Sequence, residues 1–87
     1  MTDDEVQVAF ESFEEEMARL YSAIHNEDGY SMVTALLDRV CDNCVVARES
    51  DLAWWKKIAW MNNVRLGVYS LIGQFSMHEW IEEGMEL

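Results

Sequence analysis

Proline is absent from the chain, and glycine occurs only four times in 87 residues. This composition excludes a collagen-like repeat, and it argues against a Pro/Gly-rich disordered chain and against a β-sandwich with many tight turns. Apolar residues make up 51% of the chain, which is enough to form a hydrophobic core. The length fits one domain that spans the whole chain, residues 1–87.

Basic residues are scarce, because six Lys and Arg stand against seventeen Asp and Glu, for a formal charge of −11. Nucleic acid and anionic membranes both bind basic surfaces, so we expect the chain to bind neither directly. A protein that binds this chain through charge attraction would be basic. Nucleic-acid-binding proteins and complexes are one class of such proteins.

Signals for secretion and membrane insertion are also missing. Cys41 and Cys44 are too few for the disulfide framework of a small secreted domain. Residues 1–5 are acidic and lack the basic region that opens a signal peptide. The most apolar stretch, residues 52–75, is interrupted by Lys56, Lys57, Asn62, Asn63 and Arg65, so we predict no transmembrane helix. We expect a soluble, cytoplasmic protein.

The first thirty residues carry the signals of one long helix. Thr2 and Glu5 have the spacing of a capping box, in which each side chain accepts a hydrogen bond from the other residue's backbone N–H. Apolar residues then recur every three or four positions, as on one face of a helix. They are Val6, Phe10, Phe13, Met17, Leu20 and Ile24. We predict a helix over about residues 3–27, with Gly29 as its C-cap.

A second helix is predicted to begin after Ser31, acting as N-cap, and to end near Arg48 or Glu49. Its apolar stripe consists of Val33, Leu36, Leu37, Val40, Cys44 and Ala47. In the third segment, residues 52–75, four polar side chains fall in one narrow strip, which predicts a continuous helix buried on more than one side. They are Lys56, Asn63, Ser70 and Gln74. An alternative breaks this segment at Asn62 and makes residues 64–75 a pair of strands.

The last residues predict a short fourth helix. Ser76 and Glu79 form a second capping-box match, and Phe75 and Trp80 have the spacing of a hydrophobic staple. Gly84 would end this helix. The predicted fold is therefore all-α, a small helical bundle of three long helices plus a short C-terminal helix.

Acidic residues are segregated along the chain. Residues 1–30 hold nine acids and one base, residues 31–75 four acids and five bases, and residues 76–87 four acids and no base. On the first helix, four acids point away from the apolar face, namely Asp4, Glu5, Glu11 and Glu15. Glu14 and Glu16 flank that face. One interpretation is a solvated face, with the flanking acids paired to Arg39, Arg48, Lys56 or Lys57.

The other interpretation is a surface that binds a basic partner. Acids one helical turn apart are about 5–6 Å apart, close to the spacing of nucleic-acid phosphates, so such a face can occupy a Lys/Arg groove. Tryptophan is favoured at the centre of interfaces, although it also fills cores. The candidate partner-binding residues are Asp4, Glu11, Glu14, Glu15, Trp54, Trp60, Trp80, Glu82 and Glu83.

Catalytic and metal-binding motifs are weak. Cys41 and Cys44 form a C-x-x-C inside a predicted helix, where buried structural thiols are the expected role. His25 and His78 do not complete a zinc site, and no nucleotide-binding or hydrolase motif is present. We therefore expect no enzyme activity, no metal and no cofactor.

No motif in these residues identifies a family. The leading hypothesis is a non-enzymatic, acidic inhibitor that occupies a basic surface of a partner protein. It resembles, in style and not in residues, the small acidic proteins that phages use against host defence or transcription. The alternative is an obligate helical homodimer or assembly subunit whose apolar third helix is the interface. Trp54, Trp55 and Trp60 point in three directions around that helix, more than one small bundle can cover.

Overall fold

The computed structural model describes the backbone of residues 1–82 and the side chains of residues 1–75. It consists of three helices, α1 (Asp3–Ile24), α2 (Ser31–Glu49) and α3 (Trp54–Glu82), and the described residues contain no strand. The prediction of an all-α bundle with three long helices is confirmed. The alternative of a strand pair over residues 64–75 is wrong, because α3 runs through them without a break.

The predicted capping box opens α1. Thr2 Oγ1 accepts a hydrogen bond of 3.2 Å from the Glu5 backbone N–H, and Glu5 Oε1 accepts one of 3.1 Å from the Thr2 backbone N–H. These hydrogen bonds to Thr2 lower the pKa of Glu5, because they stabilise the ionised carboxylate. Three acids in the first turn also lie at the positive end of the helix dipole.

The connection between α1 and α2 differs from the prediction at both ends. Helix α1 ends at Ile24, and its C-cap is His25 and not Gly29. Gly29 lies in the following turn with φ +89°, a left-handed conformation that glycine adopts readily. The N-cap of α2 is Tyr30 in place of Ser31, and Tyr30 makes no side-chain capping hydrogen bond.

Packing explains where α2 starts. The Tyr30 ring is buried and lies 5.6 Å from the Phe75 ring on α3, measured between ring centroids. This contact places Tyr30 at the helix boundary, although Ser31 is the better intrinsic N-cap residue. Tertiary packing therefore moved the start of α2 by one residue.

A separate fourth helix is not observed. Helix α3 continues through Ser76 to Glu82, so the residues predicted to start a new helix form its last turns. A capping box favours starting a helix, but it does not interrupt one that already runs through it. Neither proline nor a glycine with positive φ precedes Ser76 in α3. The predicted staple between Phe75 and Trp80 involves a side chain outside the described ones.

The core lies along the faces that the helices turn toward one another. Its fully buried large side chains on α1 and α2 are Phe10, Phe13, Met17, Val33, Leu37 and Cys44, all of them in the predicted apolar stripes. Helix α3 contributes Met61 and Val68. The expectation that α3 is buried on more than one side is not met in this chain, because Trp55 and Leu66 are exposed.

Contacts along the helices fix the topology. Trp60 lies beside Phe10 and Phe13, while Arg65 and Tyr69 lie farther along, beside Glu16. Helices α1 and α3 therefore run in the same direction, and α2 runs antiparallel to both. Over the described part of the chain, no helix combines the length and apolarity that crossing a membrane requires.

Candidate partner-binding surface

Three carboxylates line the side of α1 that faces away from the core. Asp4, Glu11 and Glu15, which we call the acidic face, are all exposed. At the helical rise, Asp4 and Glu11 are about 10 Å apart along the axis, and Glu11 and Glu15 about 6 Å. Val8 is exposed between Asp4 and Glu11. Helix periodicity alone therefore brings these residues together on one surface.

No described cation forms an ion pair with the acidic face. Its one hydrogen bond from a described side chain is from Gln7 Nε2 to Glu11 Oε1, at 3.3 Å. An exposed amide does not neutralise a carboxylate. The nearest base along α1 is Arg19, one turn after Glu15, and it forms no ion pair with the acidic face.

The two acids that flank the core are instead paired within the chain. Glu14 accepts a 3.1 Å hydrogen bond from Arg48 Nη1 on α2. Glu16 accepts one of 3.0 Å from Arg65 Nε and one of 2.7 Å from the Tyr69 hydroxyl, both on α3. The hydrogen bond to Glu16 raises the pKa of Tyr69, because deprotonation would place two negative charges together.

These pairs change the interpretation of one predicted site residue. Pairing between a flanking acid and Arg48 was expected, and Glu14 forms it, so Glu14 has an intramolecular role. The partner of Glu16 is Arg65, which the sequence interpretation did not include. Arg65 lies above the Phe13 ring, with 5.5 Å from its Cζ to the ring centroid. No sequence signal identified this pair, because helix periodicity does not show which side of α3 faces α1.

The described tryptophans differ in their roles. Trp60 is partly buried, with its ring stacked on Phe10 and edge-on to Phe13, both at 6.2 Å between centroids. Trp60 therefore packs against the core, although it was predicted as a partner contact. Trp54 and Trp55 are exposed at the start of α3. Trp55, absent from the predicted site, is the most exposed of these three, at 56%.

Exposed apolar side chains cluster at the end of the bundle where α1 starts. Of the ten large hydrophobic side chains that are exposed among the described residues, seven lie there. They are Met1, Val8, Val45, Val46, Leu52, Trp54 and Trp55. We call this group the apolar end, and it adjoins the acidic face through Val8.

Three predicted site residues lie outside what is described. The backbone of α3 includes Trp80 and Glu82, but their side chains are not described, and Glu83 follows the last described residue. The six other predicted residues are described. Asp4, Glu11, Glu15 and Trp54 are exposed, whereas Glu14 and Trp60 make the internal contacts given above.

A groove between α2 and α3 was not predicted. Its volume is about 290 Å³, and Leu36, Val64 and the ring of Trp60 form much of its wall. Gly67 contributes to the opening, because it has no side chain and an added Cβ would meet nothing within 4 Å. Arg39 lines one edge and forms no ion pair with any described side chain.

The two cysteines lie within α2 and have different environments. Cys44 is fully buried, whereas Cys41 is exposed, so the prediction of buried thiols is right for Cys44 and wrong for Cys41. Burial and the neighbouring Glu14 carboxylate raise the pKa of the Cys44 thiol to about 12. Partial loss of water around the exposed Cys41 thiol and the nearby carboxylate of Asp38 also raise its pKa. Both thiols are thus protonated at neutral pH, which is unlike an activated nucleophile.

Metal-binding geometry is not present in the described part of the chain, where no three His, Cys, Asp or Glu side chains are grouped to hold an ion. Comparisons of the chain with protein-family models, with curated proteins and with solved structures found no match. The chemistry of its surfaces is therefore the basis for any functional proposal.

Proposed function

We propose that this chain is a binding protein whose acidic face occupies a basic surface of a partner protein. The observation that supports the proposal is the contrast on α1. Glu14 and Glu16 are paired with arginines, whereas Asp4, Glu11 and Glu15 are exposed and have no ion pair with a described cation. The charge remaining on α1 is thus concentrated on its outward surface.

Electrostatics explains why a basic partner fits. Aligned carboxylates on one helix repel one another, and a Lys/Arg surface replaces that repulsion with attraction. A chain with a net charge of −11 also attracts a basic protein over a long range, which speeds association. Since the spacing of Glu11 and Glu15, about 6 Å, is near that of phosphates, a nucleic-acid-binding groove is the preferred partner surface.

Short-range contacts would come from the apolar end. Trp54 and Leu52 are exposed there, and Val8 lies within the acidic face itself. Large side chains that lose water on binding supply most of the affinity in protein interfaces, and charged rims mainly set orientation and association rate. Blocking a partner's nucleic-acid groove in this way would make the chain an inhibitor, and no enzymatic step is required.

The test compares two triple variants with the same change in net charge. The first is Asp4→Lys, Glu11→Lys and Glu15→Lys, and the second is Glu27→Lys, Asp38→Lys and Asp42→Lys, at exposed positions elsewhere. Proteins captured by the immobilised parent chain from a lysate of its source organism are identified, purified and titrated against all three proteins. Circular dichroism confirms that each variant keeps its helical content.

We expect the first variant to bind the captured partner at least tenfold more weakly, which is about 1.4 kcal/mol, and the second to bind much more tightly than the first. Binding should also weaken at high salt. Equal losses in both variants would show that net charge matters and the acidic face does not. Full binding by the first variant would refute the proposal and direct attention to Trp54.

A further inference from the structure

The outward side of α3 carries a regular row of exposed residues, which we call the α3 seam. It consists of Trp55, Ala59, Asn62, Leu66, Tyr69 and Gly73. Their spacings alternate between four and three residues, as in the seam of a coiled coil. Helices α1 and α2 pack on the other side of α3, around Met61 and Val68. Tyr69, at the edge of the seam, donates a hydrogen bond to Glu16 of α1, but all six seam residues are exposed.

We propose that a second copy of this chain docks on the α3 seam, with the two α3 helices antiparallel and Leu66 near the two-fold axis. This contact does not use the acidic face, so it adds to the proposed function without depending on it. The resulting dimer would display two acidic faces.

The distribution of charge favours a second copy as the occupant. Each chain has a net charge of −11, so two copies repel unless they meet where carboxylates are absent. Residues 54–75 of α3 contain no Asp or Glu and carry the bases Lys56, Lys57 and Arg65. Helix α1, in contrast, carries seven acids and α2 three. A basic partner would find no carboxylate on this stretch of α3, whereas a second α3 meets it without acid–acid repulsion.

Charge also favours the antiparallel orientation. The last described part of α3, residues 76–82, holds the acids Glu79 and Glu82 and no base. A parallel dimer would place the two acidic segments side by side. An antiparallel dimer moves each one toward the start of the partner α3, where Lys56 is exposed, and it opposes the two helix dipoles.

Side-chain size agrees with an antiparallel register in which the two Leu66 side chains face each other. With Leu66 at the axis, Ala59 of one copy lies opposite Gly73 of the other, seven residues away on either side. Small residues at these positions let the helices approach closely, while Trp55 and Tyr69 supply bulk. The seam therefore combines close backbone contact with large side chains.

The available area is sufficient for a dimer. Leu66 is 69% exposed, Trp55 56% and Tyr69 44%. Given the size of such side chains, these three offer on the order of 350 Å². A stable interface buries about 800 Å² on each partner, so the three large side chains would supply nearly half. Asn62 within the seam, and exposed neighbours such as Asn63 and Ser70 at its rim, would supply much of the remainder.

The main test places a carboxylate in the seam. Leu66→Glu is compared with Val46→Glu, because Val46 on α2 is also 69% exposed and lies outside the seam. Mass is measured by light scattering and sedimentation over a range of concentrations, with circular dichroism as the folding control. The parent and Val46→Glu should have twice the chain mass of 10.2 kDa. Leu66→Glu should be monomeric, or should dimerise at least tenfold more weakly.

A monomeric parent at all concentrations would refute the proposal, and so would a Leu66→Glu protein that dimerises like Val46→Glu. Loss of the dimer in both variants would also refute it, because the contact would not be specific to the seam. The partner-binding experiment separates this proposal from the preceding one. Leu66→Glu should still bind the basic partner, and the Asp4, Glu11 and Glu15 triple variant should still dimerise.

Cross-linking tests the orientation without disturbing Leu66. Ala59→Cys and Gly73→Cys are made separately in a background that carries Cys41→Ala and Cys44→Ala. Disulfides form only between Cα atoms closer than about 7 Å. A mixture of the two variants should cross-link readily under mild oxidation, whereas each variant alone should not. Efficient cross-linking of each variant with itself would show a parallel dimer, and no cross-linking in any sample would exclude contact along the seam.

Discussion

Arg48 on α2 donates a 3.1 Å hydrogen bond to Glu14 on α1, beside the buried thiol of Cys44. One carboxylate thus joins two helices at the edge of the core. Glu15, the next residue, is exposed and has no ion pair with a described cation. The contrast between these neighbours separates the acids that hold the bundle together from those available to a partner.

We expect Glu14→Ala to reduce the free energy of unfolding by about 1 kcal/mol, because it breaks a partly buried ion pair and leaves Arg48 without a counter-charge. The matched change Glu15→Ala should alter stability by less than about 0.5 kcal/mol. Urea denaturation followed by circular dichroism measures both. Equal effects of the two variants would contradict a stabilising role for the Glu14–Arg48 pair.

The Cys44 thiol should make stability depend on alkaline pH. Its pKa is about 12 in the folded chain, against an ordinary value of 9.0. Below pH 9.0 both folded and unfolded chains keep this proton, but between pH 9.0 and about 12 only the folded chain does. Unfolding then releases a proton, so stability falls as the pH rises.

Replacement of the thiol isolates this effect from other groups such as Tyr69. Between about pH 8 and about pH 10, the parent should lose more stability than Cys44→Ala in urea denaturation. At neutral pH the same variant should be less stable than the parent, because it loses packing in the core. Parallel pH profiles for the two proteins would mean that the Cys44 thiol titrates normally.

Two methionines provide a matched test of the core. Met17 is fully buried on α1, whereas Met32 on α2 is 66% exposed. We expect Met17→Ala to reduce the free energy of unfolding by about 2–5 kcal/mol, because it leaves a cavity. Met32→Ala should change it by less than about 0.5 kcal/mol. Similar losses in thermal and urea denaturation would show that α1 does not pack through Met17.

Two glycines should respond to alanine in opposite directions. Gly67 lies inside α3, and an added Cβ would meet nothing within 4 Å, so Gly67→Ala should stabilise the chain by about 0.5–1 kcal/mol. Gly29 has φ +89°, so Gly29→Ala should destabilise it by about 1 kcal/mol or more. Changes in melting temperature measure both. Destabilisation by Gly67→Ala would show that the groove beside α3 has no room for the added methyl group.

Features that depend on residues a few positions apart were predictable from the sequence. The capping box of Thr2 and Glu5 needs only those two side chains, and the structure contains both of its hydrogen bonds. The stripe from Val6 to Met17 follows from helix periodicity, and it is buried as predicted. The outward direction of Asp4, Glu11 and Glu15 follows from the same periodicity.

Contacts between distant residues required the tertiary structure. Arg65 meets Glu16 across 49 positions of sequence, and Trp60 rather than Trp55 packs against α1. Periodicity gives the angle between side chains on one helix, but it does not give the direction from which a neighbouring helix approaches. The inward face is hardest to predict for α3, because apolar residues occur on most of its sides and define no single inward face.

The sequence by itself therefore determined the helices, the core stripes of α1 and α2, and the concentration of acids on α1. The tertiary structure decided that Glu14 and Glu16 are paired internally, that Cys41 is exposed, and that Trp55 and Leu66 face away from the bundle. The physical reason is range. Capping and periodicity act within a few residues, whereas burial and ion pairing depend on which surfaces the packed helices bring together.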